Sequence, residues 1–506
     1  MLRKLLVAAL LVSTLPAAAQ DLKSFEAKTT VHVLPNGWTF ILVERHEAPV
    51  FSFSTHANVG SAREVTGITG LAHMFEHMAF KGTETIGTTN YTEEKKAIAA
   101  LEMAYQDYQA ERLSPRADAA KVEALFKTFK ARQAEADKFV VTNEFPDIVN
   151  REGGIFLNAF TNMDETVFFY SLPANKTELW AYLESERFLR PVFREFYEER
   201  DVVREERRQS VEGQPIGRML EQFQGTAFLA HPYHHRPFGY ESDIQSFTLT
   251  DAENFFHEYY VPANLVTAVV GDIHPQELIP LIDRYFGRIP ARPVPPPLRT
   301  IEPPQTGEKT VVLEDLSQPI YLEGYHKPAD TDPAQAAFEA IDDILSIGRT
   351  SRLYRSLVRD ERLAVQVTSL NGFPGNDYPN LYGILVVPGF GVTDEQVRTA
   401  LHRELDRLRN EDVTDEELSR FKTRARARVV RALQDNQGLA NRLTHNQALF
   451  GDWRQLFRTI DSYDRVTKAD IRKAANQAFR SENRTVVMLV TKQAPAAVPA
   501  GTPGAR

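Results

Sequence analysis

The chain carries a partial copy of itself, and this restricts its fold more than any other feature of its 506 residues. The stretch "APVFSFSTHAN" from Ala48 aligns with "SQPIYLEGYHK" from Ser317 when Pro49 is set on Pro319, an offset of 319 − 49 = 270. Further on, "LVTAVV" from Leu265 matches "TVVMLV" from Thr485, an offset of 485 − 265 = 220. An amphipathic helix pattern precedes each late strand, "DAENFFHEYY" in one case and "ADIRKAANQAF" in the other. Two matches in the same order predict an internal duplication: an α+β protein of two homologous domains, each running strands, then helices, then a closing strand.

The offsets differ by 270 − 220 = 50, so the first half holds about fifty extra residues. The Ala-, Glu-, Lys- and Leu-rich stretch from Glu93 supplies them, and Ser114-Pro115 stops and restarts its helix pattern. A helical hairpin, inserted at about 93–150, is expected there as a solvated spacer rather than a substrate clamp. "RIPARPVPPPLRTIEPPQTGEKT", Arg288 to Thr310, is proline-rich and reads as a semi-rigid linker. The predicted division is a first domain over 22–287, a linker over 288–309, a second domain over 310–492 and a disordered tail over 493–506.

"MLRKLLVAALLVSTLPAAAQ" has a basic start, a short apolar run and a small-residue end. Residues 1–19 are therefore expected to be a cleaved signal peptide, and the product a periplasmic protein without a membrane span. With no cysteine in the chain, any metal must be held by His, Asp or Glu. The formal charge of −9 becomes more negative once Arg3 and Lys4 leave with the leader, which argues against nucleic acid as a partner.

"GLAHMFEHMAF", Gly70 to Phe80, supplies such donors. A helix over Leu71 to Lys81, with Gly82 as C-cap, would put His73, Glu76 and His77 within about a 100° arc. Histidines four apart suit a single ion at about 2.0–2.1 Å from each nitrogen. Glu76 beside them could take a proton from a water that the ion acidifies, then pass it to a leaving amine. The pattern H-x-x-E-H is the inverse of the common zinc-protease helix motif. "EFYEERDVVREERRQSVEG", Glu195 to Gly213, reads as a helix whose positions 199, 202, 203 and 206 share a buried face. Glu199 and Glu206 would flank Val202-Val203 there, and two buried carboxylates call for a cation. Three further histidines, His231, His234 and His235, fall in a proline- and glycine-containing stretch expected to be a structured loop and not a ligand set.

The motif, followed by "LNAFTNMDETVFFYSLP" and "ERDVVREE", resembles the pitrilysin (insulinase) family of zinc metallopeptidases, the inverzincins. The similarity runs over nearly the whole mature chain, through "VVGD" at Val269 and "GRTSRLYRSLVRDERLA" in the second half. It implies domains built as α/β sandwiches, with mostly antiparallel sheets covered by helices, that together form half of a clamshell. It implies one Zn2+ per chain, with His73, His77 and Glu206 as ligands, Glu76 as general base and Glu199 as supporting carboxylate. It also makes Asn158, Ala159 and Phe160 an edge strand to which peptide substrates add. From the second half the family takes an Arg and a Tyr seven residues later to hold the substrate carbonyl. Arg359 fits the arginine, but Gln366 stands where the tyrosine should be. A partner is therefore implied, either a second copy or a different subunit carrying the Arg/Tyr pair, and the missing tyrosine favours the latter. At the 270 offset His73 falls on Asp343, so the second half is expected to bind no metal. The other class of reading is a noncatalytic scaffold or peptide-binding subunit.

Overall fold

Strand sequences rich in β-branched and aromatic residues build two mixed sheets in the computed structural model, which describes residues 22–492. The predicted signal peptide and tail lie outside the described residues. The first sheet contains β1 (Thr29–Val33), β2 (Thr39–Glu44), β3 (Val50–Ala57), β4 (Ile155–Thr161), β5 (Thr166–Pro173) and β6 (Leu265–Gly271), in the order β1-β2-β6-β3-β5-β4. The second contains β7 (Lys309–Asp315), β8 (Ile320–Lys327), β9 (Ala364–Phe373), β10 (Asn380–Pro388) and β11 (Arg484–Thr491), in the order β7-β11-β8-β10-β9. Apart from β1 the two orders coincide. Each sheet has one parallel pair, β2 with β6 and β7 with β11, and is otherwise antiparallel. β3 and β8 are 270 residues apart at both ends, so the offset read from the sequence is the structural one.

The hairpin is present, as helices Tyr91–Arg112 and Ala119–Ala136 capped by Asn90 and Asp118, with a shorter helix Glu144–Arg151 behind it. It is more than a solvated spacer. Tyr105 and Phe129 turn inward, and the Tyr105 ring lies 4.2 Å from that of Tyr197. The hairpin thus braces helix Phe196–Arg207, which carries two of the candidate site carboxylates.

β3 shows how the halves are joined. Phe51 and Phe53 point into the first domain's core against Trp180, while Ser52, Ser54 and His56 point to the opposite face. That opposite face is covered by helix Asn436–Phe450, a segment of the second half, with Leu439, Ala440 and Leu443 packing on Ile41, Val43, Ala268 and Val270. The reverse also holds. Helix Pro215–Ala227 of the first half lays Met219, Phe223 and Ala227 on Leu322, Leu381 and Val487 of the second sheet. The proline-rich segment runs without helix or strand and is tied down along its length: Arg63 donates to the Pro296 carbonyl, and Glu302 accepts from the backbone of Leu229, Ala230 and His231. Among the described residues no helix is long and apolar enough to cross a membrane.

Candidate active site

The motif helix begins at Gly70, whose φ of +97° only glycine adopts cheaply; a Cβ there would stand 2.5 Å from the Phe238 carbonyl oxygen. Buried Glu64 accepts from the Gly70 and Ala72 backbone N–H groups, each at 2.7 Å, and so satisfies the start of the helix. The helix spans Leu71–Met78 and ends before the expected Lys81. The reason lies in Arg194, whose buried guanidinium takes the carbonyls of Lys81, Thr83 and Ile86 at 2.6–2.9 Å and folds that segment into a loop.

The opposing helix, Phe196–Arg207, is rotated from the expected orientation. Phe196, Arg200, Val203 and Arg207 form its buried stripe, whereas Val202 is 49% exposed. Sequence reasoning put Val202 inside together with Val203, as the apolar centre of the helix. Here Arg200 is held by the Tyr105 hydroxyl and Arg207 by the Gly239 carbonyl and Glu221, and their stems fill the stripe. Glu199 and Glu206 still flank Val203 and face the motif helix.

The structure brings His73, His77 and Glu206 together, with one potential ligand atom from each within 4.8 Å of the others. Glu206 Oε2 lies 3.4 Å from His77 Nε2 and 3.7 Å from His73 Nε2. Two donors bound to one tetrahedral zinc would be separated by roughly this much, about 3.3 Å. Burial, with His77 beside it, pushes His73 down to about 3, so its ring is neutral and able to ligate. Burial also lowers His77, but the Glu199, Glu206 and Glu76 carboxylates outweigh it and hold the group above its ordinary value. The outer nitrogen of His77, Nδ1, meets Glu199 at 3.3 Å, and Glu199 is anchored by Lys81 Nζ at 2.5 Å. That is the carboxylate–histidine arrangement which orients a metal ligand. Lys81 is taken up by Glu195 and Glu199, and the ion-pair contacts of Glu206 are with His73 and His77, so the donor set fits a divalent cation.

Glu76 sits beside this cluster. Burial raises its carboxyl above the usual range, and the neighbouring Thr161 hydroxyl and backbone oppose that rise by favouring the charged form. Thr161 ends β4, the outermost strand of its sheet. On β4, Asn158 is exposed, with its carboxamide oxygen accepting from Ala159 N at 2.9 Å; the Ala159 side chain is buried, and Phe160 points outward. The pairing with β5 breaks between Ile155 and Asn158, where Phe156 takes φ +60° and leaves its ring in solvent. Arg359 is 54% exposed and paired with Asp360 at 2.6 Å, and no contact among the described residues joins it to the His73 cluster. His231 caps the turn Pro232–His234, and Phe238 from the same loop packs edge-on against His73 at 5.0 Å.

The sequence profile of the insulinase family (peptidase family M16) matches residues 40–130, and that of the peptidase M16 inactive domain matches 246–425. The chain belongs to the insulinase family. The zinc protease PqqE of Helicobacter pylori is 27% identical to it over 488 residues, covering 93% of this chain and 95% of that one. The probable mitochondrial-processing peptidase subunit beta of Arabidopsis thaliana is 21% identical over 467 residues, covering 89% of this chain and 76% of that one. Among solved structures, a protease from Helicobacter pylori superposes with a TM-score of 0.76 at 26% identity, over 91% of this chain and 99% of that one. The periplasmic protease PqqL from Escherichia coli is matched at 17% identity with a TM-score of 0.67, over 92% of this chain but 47% of that one. This insulinase-family chain is therefore one half-clamshell. In its second domain, Asp343, at the position matching His73, lies 3.5 Å from Arg424, and Glu339 of the same helix Gln335–Leu345 lies 3.7 Å from Arg428, both arginines on helix Asp415–Ala432.

Glu199→Ala should weaken zinc binding about 10–100-fold, because His77 loses its orienting partner while all three donors remain. Competition against a chromophoric chelator measures this, and an unchanged affinity would leave Glu199 a bystander.

Proposed function

We propose that this chain is a zinc-dependent endopeptidase of short or unfolded peptides, in which His73, His77 and Glu206 hold the ion and Glu76 is the general base. The observation that carries this reading is the convergence of those three donors beside a carboxylate tied to an open sheet edge. An ion held there supplies Lewis acidity toward a peptide carbonyl and acidifies water. The chain's own residues do the rest. β4 offers backbone groups to an extended peptide through Asn158, Ala159 and Phe160, with Asn158 releasing the Ala159 N–H as the new strand adds. Glu76 takes a proton from the attacking water and returns it to the leaving amine. Glu199 and Lys81 keep the His77 ring in place.

A half-clamshell needs a second half to enclose its substrate, so the working form is a dimer, with a partner subunit supplying the Arg/Tyr pair that Arg359 and Gln366 do not complete. The leader-like start and the likeness to a periplasmic protease favour action in the periplasm. The missing tyrosine, with Gln366 seven residues after Arg359, favours one further reading, a peptide-binding subunit without turnover. Purification from the native periplasm separates the two. Cleavage of a quenched fluorescent peptide that is lost to a chelator and restored by zinc supports the peptidase; zinc-loaded protein that is inert with every co-purifying partner overturns it.

The Thr161 hydroxyl favours the charged form of Glu76, opposing burial, which disfavours it. Glu76 must be ionised to act as a base, so activity falls as pH drops through its raised pKa. Thr161→Val removes one donor, raises the pKa further and should move the acid limb of the kcat/KM profile to higher pH. A limb that stays in place would separate Thr161 from the base.

A further inference from the structure

A second cluster of metal-type donors lies where the two halves meet. His56 on β3, Glu165 in the turn between β4 and β5, and His445 on helix Asn436–Phe450 bring their nearest donor atoms within 4.8 Å of one another. Glu165 Oε2 stands 2.9 Å from His56 Nδ1 and 3.3 Å from His445 Nδ1. The His445 contact is a hydrogen bond. The His56 contact is an ion-pair approach whose buried Nδ1 is not aligned for a hydrogen bond despite the short distance. The ring nitrogen and the oxygen approach each other without being aligned, as two ligands do when both address a third point. The other carboxylate oxygen, Oε1, is held by the Asn162 amide at 3.0 Å, and Asn162 also caps the backbone of Asp164 and Glu165. Glu165 is thus fixed by its neighbours so that only Oε2 faces the two imidazoles, the outer-shell support expected of a ligand. Asp377 and Asp330 lie within electrostatic reach of His445, with Lys327 facing Asp330 and Arg63 acting on Asp377. The His56 side chain is almost fully buried, whereas a third of His445 is exposed, so an ion could enter from that side.

We propose that His56, Glu165 and His445 bind a second divalent cation, of the zinc class that two imidazoles and one carboxylate select. Its place is between the first sheet and the helix contributed by the second half. The ion would fix the turn that directly follows Thr161, the neighbour of Glu76, and so tie domain packing to the position of the base. The chain would then hold two ions, where the His73 motif accounts for one.

The test counts metal in the full-length chain and does not depend on turnover. After zinc loading and removal of free ion, elemental analysis should find two equivalents in wild type and in Glu76→Gln. It should find one in His77→Ala, one in His445→Gln and none in the double variant. Cobalt bound to His77→Ala should give a visible ligand-field absorption that is lost when His445→Gln is added. Glu165→Gln, an isosteric change, should act like His445→Gln and guards against misfolding of the histidine variant. The proposal is overturned if His77→Ala retains no metal, or if folded His445→Gln and Glu165→Gln keep the wild-type stoichiometry. Failure of the catalytic reading instead appears as metal bound normally at both places with no peptide cleaved.

Discussion

Glu76→Gln is expected to lower kcat/KM toward a quenched fluorescent peptide by about 10²–10⁴-fold, the contribution typical of a positioned general base. Glutamine keeps the volume of the side chain and can still accept from Thr161, but it cannot take a proton. The geometry localises the effect to chemistry. His73, His77 and Glu206 do not depend on Glu76 for their positions, so metal content should match wild type. KM should also change little, since β4 is held by β5 from Asn158 to Thr161. A variant that keeps its metal and its activity would remove Glu76 from the reaction. One that loses both would show that the glutamate organises the site rather than acting in it.

Arg194→Ala should destabilise the protein by about 3–5 kcal/mol, the usual consequence of removing one member of a buried ion pair. Arg194 and Glu94 are both fully buried, joined by a two-pronged contact at 2.7 and 3.1 Å. The same guanidinium holds three carbonyls of the loop that follows the motif helix. Alanine leaves a carboxylate in the interior without a partner and frees that loop. Against a typical stability of about 5–15 kcal/mol, this is enough to depopulate the fold at elevated temperature. Urea unfolding measures it. Arg194→Met with Glu94→Met should recover part of the loss, because the pair is then replaced and not broken. A single-variant loss below about 1 kcal/mol would contradict the buried-pair account.

Local patterns were the legible part of this protein. The 270-residue offset placed β3 and β8 in register, Ser114-Pro115 marked the turn of the hairpin, and four-residue spacing set His73 and His77 on one side of a helix. The helix and turn signals lie within a few turns of sequence, and the offset rests on the likeness of two short strands. What stayed hidden depends on pairs far apart in the chain. His445 and Glu165 are 280 residues apart and neither sits in a recognisable spacing, although the polar face of β3 (Ser52, Ser54, His56) was a readable hint that something other than core covers it. The inward arginines were hidden for a different reason. Arg194, Arg200 and Arg207 are buried only because particular carbonyls, hydroxyls and carboxylates receive them, and a residue-type preference holds no record of such partners. The same blind spot misplaced Val202 and carried the motif helix three residues too far.

Each sheet wears a rod that belongs to the other half: Asn436–Phe450 lies over the first and Pro215–Ala227 over the second. Severing the backbone in the proline-rich stretch would therefore not release two autonomous modules. Each fragment would expose an oily wall shaped for a piece it no longer owns, and would be sticky alone and complementary to its sibling. Grafting one half onto a foreign scaffold carries the same obligation, since the transplant must bring its cover along or grow a replacement.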